Sequence, residues 1–235
     1  MRCGTTALSN ILCSRPEISG YGEAHIRYRS TNDLGRLVVN QTIRKAWKPK
    51  AGFLFDKLLH NRHDDDVPPD FIKARALFMC RRPEETIPSI RRLFKRLGRD
   101  EYTTDHQAAE YYAARIERLS ELWALFATEN RIGLDYDTLM NDTDRCLEGM
   151  TGFIGLAPPL ENRYRSHSAS IRGGGGDPLV SSKLKMIEPR KSEGVLLENL
   201  DIDPQLRDRV RDGYQRFLGL ISEQSSDLGR AMSLE

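Results

Sequence analysis

The hydrophobic positions along the chain follow two patterns, which predict helices and short buried strands in alternation. In several segments apolar residues recur at every third or fourth position, as they do on one face of a helix. These segments predict helices at 4–14, 31–47, 83–97, 104–128, 143–154 and 204–221. Short extended or apolar runs predict strands at 18–21, 52–55, 76–80 and 131–135. The alternation predicts an α/β fold with a mainly parallel sheet.

The length of the chain and its polar segments limit the organisation that we expect. With 235 residues the chain can bury a sizeable core, and we expect 1–235 to form a single domain. The stretch 166–189 is polar and rich in glycine, which predicts a long functional loop. No apolar run approaches the roughly 20 residues that a membrane-spanning helix needs, so no membrane span is expected.

Charge and cysteine content narrow the choice of function without deciding it. The formal net charge of +2 does not by itself require a polyanionic partner. Because the cysteines form no C-x-x-C pair, we expect neither a zinc site nor a dense disulfide framework, but reduced thiols in a cytoplasm. The cysteines are Cys3, Cys13, Cys80 and Cys146.

The first residues of the chain combine the groups that bind phosphate. Arg2 supplies a cation, Gly4 lets a backbone approach closely, and Thr5 and Thr6 can donate hydroxyl hydrogen bonds while capping the helix that follows. A frayed terminus with an ordinary helix cap is the alternative. A phosphate loop normally follows a strand, so either the natural start lies upstream of Met1 or the sheet lacks its first central strand.

Two further segments offer catalytic groups. The run Gly22-Glu23-Ala24-His25 contains a carboxylate and an imidazole, and Glu23 or, in reserve, His25 can act as a general base on an acceptor hydroxyl. Lys57 follows a predicted strand at its carboxyl end, where open α/β sheets place their ligands, and it offers a charge to a phosphate or leaving oxygen. The alternatives are a solvated acid, a surface histidine and a surface lysine.

A second possible phosphate site follows the apolar run 76–80. Arg81 stands at the end of this predicted strand, and Ser89 lies about two turns into the helix that Pro83 begins. The guanidinium and the hydroxyl can therefore approach one phosphate from neighbouring elements.

The order and spacing of these segments resemble those of sulfotransferases that use 3′-phosphoadenosine 5′-phosphosulfate (PAPS). Residues 1–8 resemble the family's 5′-phosphosulfate loop, P-[KR]-S-G-T-T-x-L, and 78–89 resemble its 3′-phosphate motif, a strand followed by R-D-P and a serine. Residues 134–139 and 152–156 are similar to the Y-E-D-L and F-L-G-L landmarks. The Gly-Glu at 22–23 matches the bacterial, Golgi-type and protein-tyrosine branch.

The resemblance implies a three-layer, P-loop-like fold whose parallel central sheet is flanked by helices, and a metal-independent transferase. Arg2 and Lys57 would contact the sulfate and bridging oxygen, Glu23 would take the acceptor proton, and adenosine 3′,5′-bisphosphate would leave. Arg81 and Ser89 would bind the 3′-phosphate. The other residues that the resemblance assigns to the cofactor are Arg2, Cys3, Gly4, Thr5, Thr6, Ala7, Tyr136, Gly176, Asp177, Ser182 and Lys183.

The chain departs from the family pattern at several positions. Met1 replaces the loop proline, Cys3 its serine, and Arg82 the usual aspartate. Leu58 and Leu59 stand where the lysine is usually followed by Thr-Pro or Ser-Pro.

Other functions remain as alternatives to a sulfotransferase. A P-loop nucleotide kinase or NTPase needs a second glycine and a lysine that the opening lacks, and a nucleotide-binding module of the same fold would bind without turnover. Nucleic acid is not an expected partner, because acids nearly balance the basic residues at 91–99. The run Asp64-Asp65-Asp66 is expected to be an exposed loop rather than a magnesium site. The acceptor, a small molecule, glycan or natural product, stays open, as does the oligomeric state.

Overall fold

The computed structural model describes residues 2–168, 184–189 and 194–231. The chain forms two compact units. The first comprises Met1–Cys3, Arg75–Asn141 and Pro189–Glu235, and the second comprises Gly4–Ala74 and Asp142–Glu188. In chain order the helices and strands are α1 (Thr5–Ser14), β1 (Ile18–Ser19), α2 (Thr31–Ile43), β2 (Phe53–Leu54), β3 (Ala76–Cys80), α3 (Pro83–Arg96), α4 (Asp105–Leu125), β4 (Arg131–Asp135), α5 (Tyr136–Asn141), α6 (Thr143–Ile154) and α7 (Pro204–Ala231).

The first unit is built on a parallel strand pair, β3 and β4, in which Ala76 lies opposite Arg131 and Cys80 opposite Asp135. The aromatic ring of Phe78 packs edge-on against Trp123 of α4, with 5.3 Å between ring centroids. The glycine Gly133 of β4 lets α7 approach, because a Cβ at this position would lie 2.4 Å from Cγ1 of Ile221. Aromatic packing and this close approach therefore form the core of the first unit.

The second unit contains the parallel pair of β1 and β2, in which Ile18 lies opposite Phe53. Gln41 of α2 is fully buried and hydrogen-bonds to β1 and to the residue after β2. Its amide oxygen accepts a 2.6 Å hydrogen bond from the Ser19 hydroxyl, and its amide nitrogen donates to the Phe55 carbonyl at 3.1 Å. The ammonium of Lys48 donates to the carbonyls of residues 13 and 15 at the end of α1 and to the carbonyl of Ile18 in β1.

Several predicted elements are confirmed, and others differ for local reasons. The predicted helix at 143–154 and strands at 76–80 and 131–135 match the structure. Helix α2 ends at Ile43 rather than at 47, because Lys45 adopts a left-handed backbone (φ 56°) and the next two amides donate to the Gln41 carbonyl. Helix α5 was not predicted, and it begins directly after β4, where a carboxylate oxygen of Asp135 accepts the Asp137 amide hydrogen bond at 2.9 Å.

The mixed helix and strand content and the parallel strand pairing agree with the predicted α/β class. In the described residues the strands pair two by two, once in each unit. The three-layer, P-loop-like arrangement and the single domain stay predictions. None of the helices that the structure describes is both long enough and apolar enough to cross a membrane.

Candidate functional site

The opening segment contributes residues to both units, because the boundary falls between Cys3 and Gly4. In the second unit, Gly4 is the N-cap of α1 and adopts the left-handed conformation (φ 77°), so the helix begins at Thr5. The expectation that Thr5 and Thr6 cap the helix is therefore wrong: they are its first two residues. A glycine N-cap has no side chain to occupy the first amides of the helix, which suits the approach of an anion.

Lys57 joins the start of α1 to the predicted base. Its ammonium nitrogen lies 3.2 Å from Oγ1 of Thr6 and 3.4 Å from Oε1 of Glu23. The side chains of Lys57 and Glu23 are only 6% and 11% exposed, so the charges interact more strongly than a surface pair would. The structure thus brings together three residues that the sequence had assigned from separate segments.

The reserve base, His25, lies close to the same carboxylate but is more open to solvent. Its Nδ1 is 3.9 Å from Oε2 of Glu23, and its side chain is 46% exposed. The backbone at His25 is left-handed (φ 56°), and its ring lies edge-on to His63 with centroids 5.8 Å apart. The carboxylate of Glu23 is therefore flanked by an ammonium and an imidazole.

The first unit holds the second predicted phosphate site. Nε of Arg2 donates a 3.0 Å hydrogen bond to the hydroxyl of Ser89, which is buried in α3. Arg81 lies beside them, because its Nη1 donates to the main-chain carbonyl of Arg2 at 3.2 Å. Two guanidinium groups and a hydroxyl therefore meet in the first unit, and the predicted contact of Arg2 with the sulfate stays a prediction.

The orientation of Arg81 is fixed by three neighbours. Its Nε donates to Oε2 of Glu85 at 3.0 Å, and its guanidinium carbon lies 4.1 Å from the ring centroid of Tyr136. The hydroxyl of Tyr112 donates to the Arg81 carbonyl at 2.8 Å. The predicted cofactor residue Tyr136 thus supports a predicted phosphate ligand, while Glu85 and Tyr112 were not assigned to the site from the sequence.

Comparison with known proteins gives distant structural similarities only. No family model matches the chain. No curated protein sequence matches it. The chain is similar in structure to the sulfotransferase domain from the curacin biosynthetic pathway, with a TM-score of 0.49 and 12% identity over 94% of each chain. It is also similar to the sulfotransferase domain from the Synechococcus PCC 7002 olefin synthase, with a TM-score of 0.45 and 15% identity over 95% of this chain and 91% of that one. Both similarities are too distant to carry a functional conclusion.

Arg82, which stands where the family has aspartate, takes part in ion pairs within the first unit. Its Nε lies 2.8 Å from Oδ2 of Asp137, and its Nη2 lies 3.0 Å from Oε1 of Glu85. Glu85 therefore faces two arginines, and the pKa of Asp137 is raised by burial in spite of the neighbouring guanidinium of Arg82. Arg82 is thus paired with two acids of the first unit.

The remaining predicted cofactor residues have different surroundings. The thiol of Cys3 is buried and donates to the Met79 carbonyl at 3.7 Å, so it is held by the end of β3. Ala7 is half-buried in the first turn of α1. Gly176, Asp177, Ser182 and Lys183 lie outside the described residues.

The structure offers no candidate metal centre among the residues that it describes. No group of three or more histidine, cysteine or carboxylate side chains is arranged there to hold a metal ion. The acidic run at 64–66 is only partly the exposed loop that the sequence indicates, because Asp64 is buried while Asp65 forms an ion pair with Arg27.

Proposed function

We propose that this protein is a sulfotransferase that moves a sulfuryl group from PAPS to the hydroxyl of a small molecule, a glycan or a natural product. The observation that carries the proposal is the cluster of Thr6, Glu23 and Lys57 at the start of α1. Thr6 and Lys57 are 51 positions apart, yet Lys57 contacts both Thr6 and the carboxylate of Glu23. A cation beside a helix start and a carboxylate suits the transfer of an anionic group to a hydroxyl.

The second unit fits the anionic end of PAPS. The first turn of α1 offers amide groups that no N-cap side chain occupies, and the Lys57 ammonium lies beside its second residue. Both features favour negative charge. In the proposed reaction, PAPS supplies the activated sulfuryl group, and Lys57 stabilises the charge that develops on the bridging oxygen.

The proton of the acceptor hydroxyl passes to Glu23. Its carboxylate is buried beside Lys57, and a carboxylate can act as a general base on a hydroxyl. The acceptor oxygen then forms the new bond to sulfur, and the bond from sulfur to the phosphate oxygen breaks. The proton stays on Glu23 until solvent removes it.

The first unit fits a phosphate group. Arg2, Arg81 and Ser89 bring two guanidinium groups and a hydroxyl together, and Glu85 holds Arg81 in place. Guanidinium groups bind phosphate oxygens in bidentate geometry, so we assign these residues to the 3′-phosphate. This assignment distinguishes PAPS from nucleotides that lack a 3′-phosphate.

Calorimetric titration tests the binding of the bisphosphate product. We expect adenosine 3′,5′-bisphosphate to bind more tightly than 5′-AMP or ATP, and Arg81→Ala to weaken it at least about tenfold, as the loss of a charged hydrogen bond does. Arg96→Ala, which removes an exposed arginine at the end of α3, the helix that follows Arg81, is the matched control. Tight ATP binding with no preference for the bisphosphate would instead favour a kinase or NTPase.

Release of the bisphosphate from PAPS tests the chemistry. We expect Glu23→Gln to lower kcat by about 10²–10⁴-fold and to leave bisphosphate affinity nearly unchanged, because the base acts only in the chemical step. Glu148→Gln, at an exposed glutamate of α6, is the control. Full turnover in Glu23→Gln would rule out Glu23 as the base, and binding without release to any acceptor would favour a non-catalytic nucleotide-binding module.

A further inference from the structure

The segment that carries Glu23 has no regular secondary structure to hold it. Residues 20–28 form neither a helix nor a strand. The backbone dihedral φ is positive at Gly22 (139°) and at His25 (56°). Amides in such a segment have no ladder of hydrogen bonds, so side chains or isolated main-chain carbonyls must provide their acceptors. The position of Glu23 therefore depends on contacts from outside this segment.

Asp56 supplies the acceptor for the amide next to Glu23. Its Oδ1 accepts a 2.7 Å hydrogen bond from the amide of Ala24, the residue after Glu23, and a 2.8 Å hydrogen bond from the amide of Lys57. One carboxylate oxygen thus joins the backbone next to the proposed base to the backbone of the proposed cation. The main chains of the two segments are also linked by a longer hydrogen bond, 3.2 Å from the Lys57 amide to the Gly22 carbonyl.

Tyr28 binds the second carboxylate oxygen of Asp56. Its hydroxyl donates a 2.7 Å hydrogen bond to Oδ2 of Asp56, and its ring is buried against Phe71 with centroids 5.3 Å apart. The Tyr28 amide in turn donates to the His63 carbonyl at 2.9 Å. Both carboxylate oxygens of Asp56 therefore have partners, and the side chain has one orientation that satisfies all of them.

We infer that Asp56 is the positioning residue of the pair Glu23 and Lys57: its carboxylate clamps the two segments and sets the distance between base and cation. The catalytic part of this inference rests on the proposed function, whereas the clamp does not. Asp56 contacts neither the Glu23 carboxylate nor the Lys57 ammonium in the hydrogen bonds described, so it acts through the backbone that carries them.

Asp56→Ala and Asp56→Asn distinguish the role of Asp56 as a hydrogen-bond acceptor for the backbone from the role of its negative charge. Alanine removes both acceptors, whereas the asparagine amide keeps an oxygen for the two backbone amides and replaces the other oxygen by nitrogen. Asp66→Ala, at an exposed aspartate of the same unit, is the matched control. Bisphosphate affinity and thermal unfolding show for each variant whether the fold survives.

Amide hydrogen exchange, followed by NMR, tests the clamp without any assumption about function. We expect Asp56→Ala to speed exchange at Ala24 by about tenfold, the effect of losing one hydrogen bond, and Asp56→Asn to change it far less. Ala24 is a cleaner reporter than Lys57, whose amide also points to the Gly22 carbonyl. The amide of Leu12, inside α1, should be unchanged. Unchanged exchange at Ala24 in Asp56→Ala would overturn the clamp.

Turnover tests the catalytic part. With PAPS and the best acceptor from a panel of 4-nitrophenol, N-acetylglucosamine and 1-dodecanol, we expect Asp56→Ala to lower kcat by about 10²-fold, as small misplacements of catalytic groups do. The KM for PAPS should stay within about threefold, and Asp56→Asn should recover most of the loss. An unchanged kcat would overturn the positioning role, and so would a rise in KM with weaker bisphosphate binding but no change in kcat. An inactive wild type would overturn the proposed function and the catalytic part together, and Ala24 exchange would still decide the clamp.

Discussion

The contact between Gly133 and Ile221 makes a quantitative prediction about the core of the first unit. A Cβ at Gly133 would lie 2.4 Å from Cγ1, 2.8 Å from Cγ2 and 2.9 Å from Cβ of Ile221. These atoms lie close to the backbone of α7 rather than at the end of a flexible side chain, so they cannot move away cheaply. Overpacking of this kind costs about 1–3 kcal/mol.

We therefore expect Gly133→Ala to lower the free energy of unfolding by about 1–3 kcal/mol, which corresponds to about 2–4 °C in Tm for each kcal/mol in a chain of this length. Urea titration followed by circular dichroism measures the change. Gly219→Ala is the matched control, because a Cβ at this position in α7 meets nothing within 4 Å. That variant should be neutral or more stable by up to about 1 kcal/mol, since alanine favours the helix.

A double-mutant cycle identifies the cause. Ile221→Ala alone leaves a cavity and should cost about 2–5 kcal/mol. In the double variant the contacts with Cγ1 and Cγ2 are gone and only the 2.9 Å contact with the Cβ of residue 221 remains. The two costs should therefore not add, with a favourable coupling of about 1–3 kcal/mol. A Gly133→Ala variant as stable as wild type, or strictly additive costs, would refute the assignment of this contact.

Two further predictions concern the second unit. Lys57→Ala should lower kcat for release of the bisphosphate from PAPS by about 10²–10³-fold, while Lys50→Ala, an exposed control, should not; equal activity of both would contradict the role of Lys57. Desolvation raises the pKa of the Asp56 carboxyl from 3.8 to about 6 against three hydrogen bonds that lower it, so the folded state binds this proton more tightly than the unfolded chain does. The stability that this group contributes is fully present below pH about 4 and is lost as pH rises to about 6. In urea titrations the free energy of unfolding of Asp56→Asn should therefore rise relative to that of wild type between these pH values. A difference that does not change with pH would contradict the raised pKa.

The positions of most helices follow from the sequence, but some of their ends do not. Helix α6 matches its prediction because its apolar residues are regularly spaced and Gly155 ends it in a left-handed conformation (φ 74°). The end of α2 was predicted wrongly because Lys45 gives no sign in the sequence of its left-handed backbone. Helix α7 continues to Ala231, past the last apolar position of its predicted range, because a helix can extend through polar residues.

The candidate site was predictable for residues whose chemistry is unusual in its local context. Glu23, Lys57 and Arg81 each stand beside a glycine or at the end of an apolar run, and these features drew attention to them. Asp56 stands beside Lys57 and Glu85 beside Glu84, and both were missed because an acid next to another charged residue is usually exposed. Only the structure shows that these two acids are directed inward, one to backbone amides and the other to two arginines.

Helix α1 is electrically asymmetric, and the source of the asymmetry is Lys48. The ammonium of Lys48 lies on the carbonyls of residues 13 and 15, where it compensates the negative pole of the helix. The first turn of α1, all of which the structure describes, contains no acidic side chain to compensate the positive pole. A bound anion would therefore complete the charge balance of the helix as well as occupy a site. Its affinity should consequently decline as ionic strength rises, since this pole is partly open to solvent and its field is screened over roughly 8 Å in physiological salt.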